Sequence, residues 1–217
     1  MSLWSSLIDR IKFAQTAQKV FRSSGTLAIS ETICKRAFKC TEVLAEDLKR
    51  SFPQPTPDYL HKRLQVFLEL LCFFTHIASR VVSRKFGAGK RQQLNNKIGP
   101  LLVEFTVKYF YESQPSESAS EIASEIKQLF LDRVNTSERE YSSCEAFLLK
   151  PEDDVAYADK VAAGLKSKGT LNLLTDNIVS ILDEQNPITY LRIMHILIST
   201  FDLKEFEATV IQAAKQA

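Results

Sequence analysis

The sequence predicts an all-α protein, with about eight or nine helices packed as an orthogonal or up-down bundle around one long central helix over roughly residues 59–86. Three observations predict it. Apolar residues recur at three- and four-residue steps along most of the 217 residues, the spacing that lines one face of a helix. The chain holds only 6 Gly and 7 Pro, too few to turn the many short strands of a barrel or sandwich. Capping residues and breakers, finally, stand where the periodic stretches begin and end. With 45% hydrophobic and 25% charged residues, the chain can bury a substantial core as a single domain over 1–217.

The first helix places Leu3, Leu7, Ile11, Ala14, Ala17 and Phe21 on one face and stops at Ser24-Gly25. Its other face carries Arg10, Lys12, Lys19 and Arg22 against Asp9, with Trp4 near the start, so it reads either as an edge helix with a wet basic face or as a helix resting on an anionic membrane. A second helix over about 30–50 turns Ile33, Ala37, Val43 or Leu44, and Leu48 inward, and the prolines of Phe52-Pro-Gln-Pro-Thr-Pro57 end it. Asp58 then caps the long helix, whose circumference is mostly apolar from Leu60 to Val82. Glu69, His76 and Arg80 lie inside that stretch and argue for a buried central helix rather than a membrane span.

Gly87 suits a left-handed C-cap for this helix, with Lys85 complementing the dipole behind it. Residues 92–112 carry both periodicities: Val103, Phe105, Val107, Tyr109 and Tyr111 alternate as in a strand, while Leu94, Ile98, Phe105 and Tyr109 recur as in a helix. A lone strand would lack a pairing partner, so the segment reads as a helix kinked at Gly99-Pro100. Beyond the polar stretch 114–120, Ser118-x-x-Glu121 and Ser137-x-x-Glu140 read as two capping boxes opening two helices, the second running towards Leu149. Lys150-Pro151 opens another that Gly169 closes. Helices at 171–182, 188–200 and 203–214 complete the set, and the two-sided hydrophobicity of Ile188 to Ile198 marks its helix as interior.

The formal net charge of +2 conceals two opposed halves. Residues 1–113 carry 18 Lys and Arg against 9 Asp and Glu, and residues 114–217 carry 10 against 17, which outlines a basic and an acidic subdomain. Between Glu69 and Glu104, Arg80, Arg84, Lys85, Lys90, Arg91 and Lys97 follow one another without an acid. Lys90 and Arg91 open a helix, where cations oppose the dipole, so an anion at this corner would relieve a local cost; the alternative is a solvated basic turn. Gly89-Lys90 is no phosphate-binding loop, because Arg84 and Arg91 occupy the positions that need Gly and Ser or Thr.

Along the long helix, Lys62, Gln65, Glu69, His76, Arg80 and Ser83 share one narrow stripe. That stripe could line a polar pocket in which Glu69 sets the charge of His76 and Arg80 receives an anion, or it could be the helix's solvated edge. The candidate binding residues are therefore Glu69, His76, Arg80, Arg84, Lys85, Lys90 and Arg91. No catalytic residue, metal site or cofactor is expected. The three histidines are far apart, no nucleophile elbow, His-Glu-x-x-His pair or dinucleotide fingerprint occurs, and a di-iron site would need Glu-x-x-His on two helices. Cys34, Cys40, Cys72 and Cys144 have neither disulfide-framework nor zinc spacing, which with the lack of a secretory leader suggests the reducing cytoplasm.

The run Leu68-Glu-Leu-Leu-Cys-Phe-Phe-Thr-His76-Ile-Ala-Ser-Arg80, continued by Gly87 and Lys90-Arg91 and by Glu140-Tyr141, resembles a group of small uncharacterised bacterial helical proteins that share apolar-Phe-x-His-x-x-x-Arg and Gly-x-x-Lys-Arg. The resemblance covers about the middle half of the chain, implies a bacterial cytoplasmic protein, and brings no activity with it. The reading that follows is a non-catalytic helical interaction or adaptor protein whose basic half meets an acidic protein partner or, in self-association, the acidic half of a second copy. A regulatory binder of a small molecule or anion is the alternative. Nucleic-acid or membrane-surface binding ranks third, since the basic stretch lacks a helix-turn-helix and the acidic half would repel phosphate.

Overall fold

The computed structural model describes residues 3–20, 25–48, 57–111, 116–144, 169–182 and 187–216. Among them it contains eight α-helices and no β-strand, the all-α class expected. They are α1 (Leu3–Val20), α2 (Gly25–Leu48), α3 (Pro57–Phe86), α4 (Ala88–Tyr111), α5 (Ser116–Ser142), α6 (Thr170–Leu182), α7 (Pro187–Thr200) and α8 (Leu203–Gln216). Pro57 and Pro187 occupy the first positions of α3 and α7, where a missing N–H costs nothing. Gly87 ends α3 with φ of 87°, and its N–H donates to the Ser83 carbonyl at 3.0 Å, the left-handed cap the sequence indicated.

Residues 100–111 are helical, the choice made over a strand, and α4 continues through Pro100. Three boundaries differ from expectation. Helix α2 starts at Gly25 rather than near residue 30. Helix α5 runs unbroken to Ser142, so Ser118 lies within its first turn and Ser137 in its interior; neither opens a separate helix. Ser137 is buried, and the arginine four residues before it and the tyrosine four after it explain why: they form one inward stripe rather than a helix start. The helix expected from Lys150 to Gly169 and the cap at Asp58 lie outside the described residues and side chains.

The chain divides into two compact units, residues 1–35, 77–132 and 203–217 forming one and residues 36–76 and 133–202 the other. Each draws on both sides of the change of charge sign at 113/114. In the first unit α1 packs on α4: the Phe13 ring meets Phe105 and Tyr109 edge-on, with centroids 5.0 and 5.9 Å apart. Ser79 Oγ donates to Asn95 Oδ1 at 2.6 Å and ties the end of α3 to α4. Leu94, Ile98, Leu102, Phe130, Phe206 and Val210 complete this core.

In the second unit α6 packs on α7, and Phe201 closes the core on Phe74 and Phe73 at centroid separations of 4.9 and 5.8 Å. Leu44, Phe67, Leu70, Leu71, Leu174 and Ile178 fill the space around them. Helix α7 is not interior. Tyr190, Ile193, Met194 and Leu197 are buried, whereas Ile188, Leu191 and Ile198 on its other side are exposed, because one face of a two-sided apolar helix is enough to seal this unit.

Candidate functional site

The seven candidate residues divide between the two units. Glu69 and His76 are buried in the second unit, and Arg80, Arg84, Lys85, Lys90 and Arg91 belong to the first. The polar stripe of α3 is thus split by depth: Gln65 and Arg80 face solvent, and Glu69 and His76 do not.

Glu69 is 1% exposed and would be costly there as a lone charge. Three donors meet it. Arg133 Nε donates to Oε2, Tyr141 Oη donates to Oε1 at 2.5 Å, and Asn177 Nδ2 donates to Oε1 at 2.9 Å. The arginine's Nη2 lies 3.6 Å from Glu140 Oε2. A carboxylate held by a guanidinium and two neutral donors joins α3, α5 and α6 within the second unit through charge-assisted bonds. Glu69 holds the Arg133 guanidinium above its ordinary pKa, outweighing the desolvation that opposes it. Burial, then the charge of Glu69 and its hydrogen bond, push the Tyr141 phenol well above its usual range.

His76 has its own acid, one turn of α5 away from this cluster. Its Nδ1 lies 2.8 Å from Glu138 Oε2, so the charge partner of His76 is Glu138 and not Glu69. Nδ1–H donates to the carboxylate, which leaves Nε2 as the ring's other nitrogen. That nitrogen is buried without a hydrogen-bond partner, and the Tyr141 ring packs against the imidazole at 5.5 Å. A carboxylate–imidazole pair is the geometry of a general base, but here the ring's second nitrogen faces protein. Cys72, on the same face of α3, is held well above the ordinary thiol range by burial first and Glu69 second, against smaller opposing effects of Arg133 and Ser137. It is a protonated, unreactive thiol. The arrangement works as a polar lock for three helices.

Among the described residues no three His, Cys, Asp or Glu side chains converge as a metal site. The cleft between Leu44, Ala45, Tyr59, Lys62, Val66 and Leu182 in the second unit is apolar and shallow, about 320 Å³ with the open solvent at its mouth included. Helix α3 is long and apolar enough over His61–Phe86 to cross a membrane, yet 83% of its apolar window is buried within the protein.

The α3–α4 corner is the opposite kind of place. Arg80, Arg84 and Lys85 are exposed, Lys90 and Arg91 half-exposed, and Phe86 between them is 37% exposed. Arg84 Nη2 donates to Glu207 Oε1 of α8 at 2.9 Å, an exposed pair that neutralises one of the five cations. No glycine of the corner packs closely: a Cβ added at Gly87 or Gly89 would meet nothing within 4 Å.

Sequence reasoning missed Arg133, Glu138, Tyr141 and Asn177. A signal for two of them was present: Arg133 and Tyr141 recur with Ser137 between them every four residues on α5, a polar stripe on one helix face as Glu69 and His76 form on α3. Reading Ser137 as a cap hid it. Comparison of the chain with protein-family models, with curated proteins and with solved structures returns no match.

Proposed function

We propose that this is a non-catalytic helical interaction module whose α3–α4 corner receives an acidic segment of a partner protein. The observation that carries the reading is the exposure of Arg80, Arg84, Lys85 and Phe86 beside half-exposed Lys90 and Arg91, in a stretch with no acid from Glu69 to Glu104. Cations around an aromatic ring, next to the N-terminus of α4, make a positive patch with an apolar centre, which suits carboxylates interleaved with apolar side chains. The polar-pocket alternative draws less support, because the oxygens of Glu69 are already met by Arg133, Tyr141 and Asn177. Free cysteines and the resemblance through His76, Arg80 and Lys90-Arg91 favour a bacterial cytoplasmic setting.

Fluorescence anisotropy with a labelled Glu- and Phe-containing peptide tests this. The peptide binds with an affinity that falls steeply with salt, and Arg84→Ala/Lys85→Ala/Lys90→Ala/Arg91→Ala weakens it at least about tenfold. A parent protein that ignores the peptide, or prefers single- or double-stranded nucleic acid of equal charge, defeats the reading. Light scattering across the same salt series separates it from self-association, which would disperse as salt rises.

A further inference from the structure

The cationic corner already holds one carboxylate of its own chain. Arg84 Nη2 donates to Glu207 Oε1 at 2.9 Å, and the two side chains are 66% and 34% exposed. They stand 123 residues apart in sequence, on α3 and α8 of the same unit. The acid is the fixed member of the pair. Phe206 and Val210 of α8 are fully buried, so the apolar face of α8 seats the helix, and Glu207, the neighbour of Phe206, is carried to the edge of that face independently of Arg84. The arginine is the movable member, a long and mostly exposed side chain in the last turn of α3.

We infer that Glu207 is an internal competitor at this corner, occupying Arg84 until a carboxylate of the partner's acidic segment displaces it. The inference rests on the corner being the docking surface. An exposed pair of this kind adds little to folding, but it bears directly on an approaching acid. A guanidinium engaged with Glu207 must be released, in whole or in part, before it can offer its fork of N–H groups to another carboxylate. Only the arginine side chain has to swing for that exchange, because Glu207 is held by the packing of α8 and the cap at Gly87 fixes the end of α3. Being tethered to the same chain, the competitor is never diluted, and it yields only to a segment with more acid to offer or to a rise in salt. Glu207 thus keeps the corner from binding weakly acidic segments tightly, a repulsive element set beside an attractive one.

Its test uses the whole chain, the labelled Glu- and Phe-containing peptide, and a second peptide in which Gln replaces every Glu. Glu207→Gln binds the acidic peptide about two- to fivefold more tightly than the parent, the range an exposed pair can supply, and binds the Gln peptide as the parent does. That advantage shrinks as salt rises, because salt screens the internal pair. Arg84→Ala separates competition from plain repulsion: with Arg84 gone, adding Glu207→Gln changes affinity for the acidic peptide by less than about 1.5-fold at physiological salt. Circular dichroism and the melting temperature of Glu207→Gln match the parent, since the pair it removes is exposed. Equal affinity of parent and Glu207→Gln for the acidic peptide overturns the inference and leaves the docking surface standing. So does an equal gain in the Arg84→Ala background, which would make Glu207 a source of repulsion only, and so does weaker binding by Glu207→Gln, which would make it a residue that positions Arg84. An acidic peptide that neither protein binds overturns both the inference and the docking surface.

Discussion

The lock around Glu69 and the corner around Lys85 each contain an Arg–Glu pair and treat charge in opposite ways. At the lock a single buried acid gathers an arginine, a tyrosine and an asparagine from 64, 72 and 108 residues away. At the corner five cations crowd into twelve residues, and Arg84 pairs with Glu207, which is itself part-exposed. Buried, a charge is held by geometry and is costly to orphan. Exposed, it contributes little to stability and is left for encounter with other molecules.

The largest effect that could break this contrast is expected at Glu69. Glu69→Ala leaves Arg133, the Tyr141 hydroxyl and Asn177 without their shared acceptor and costs about 3–5 kcal/mol in urea denaturation. A loss below about 1 kcal/mol would show that the lock is not a structural centre.

Tyr141→Phe, which removes one donor, costs about 1–3 kcal/mol at neutral pH. It also changes the alkaline limb. The folded phenol titrates well above its ordinary value of 10.0, so the unfolded chain loses this proton first. The contribution is fully present below pH 10 and falls as pH rises further, by about 1.4 kcal/mol per pH unit for this one group. The buried thiols, Cys40 pushed up to about 12 and Cys34 and Cys72 raised well above 9.0, start the decline one unit earlier. Stability measured from pH 8 to 11.5 therefore drops less steeply above pH 10 in Tyr141→Phe than in the parent; parallel slopes would refute the buried phenol.

Gly87→Ala places a Cβ at a positive φ in open space, so it tests backbone strain alone and costs about 1 kcal/mol in thermal melting. Arg84→Ala closes the series at about 0–0.5 kcal/mol, because the pair with Glu207 is exposed. A loss comparable to that of Glu69→Ala would erase the distinction between lock and corner.

Much of this was legible from residue order. The apolar spacing marks α1 to α4 and α6 to α8, Pro57 and Pro187 mark starts, and Gly87 marks a stop with its backbone sign. Cations at 80–91 are exposed or half-exposed because hydration is the only inexpensive state for so many like charges in one turn of chain. These are local facts, decided by propensity and by the penalty of burying charge.

Depth was not legible. Ser137 reads as a helix cap and proves to be interior, and α7 reads as an interior helix and shows half its apolar face to solvent. Glu69 and Arg80 share one helical stripe, yet one is buried and the other exposed. Periodicity determines which residues share a face, since that follows from 3.6 residues per turn. Only tertiary structure decides what each face meets, because the partners of Glu69 come from two other helices, and a stripe becomes a lock or a surface according to what packs against it.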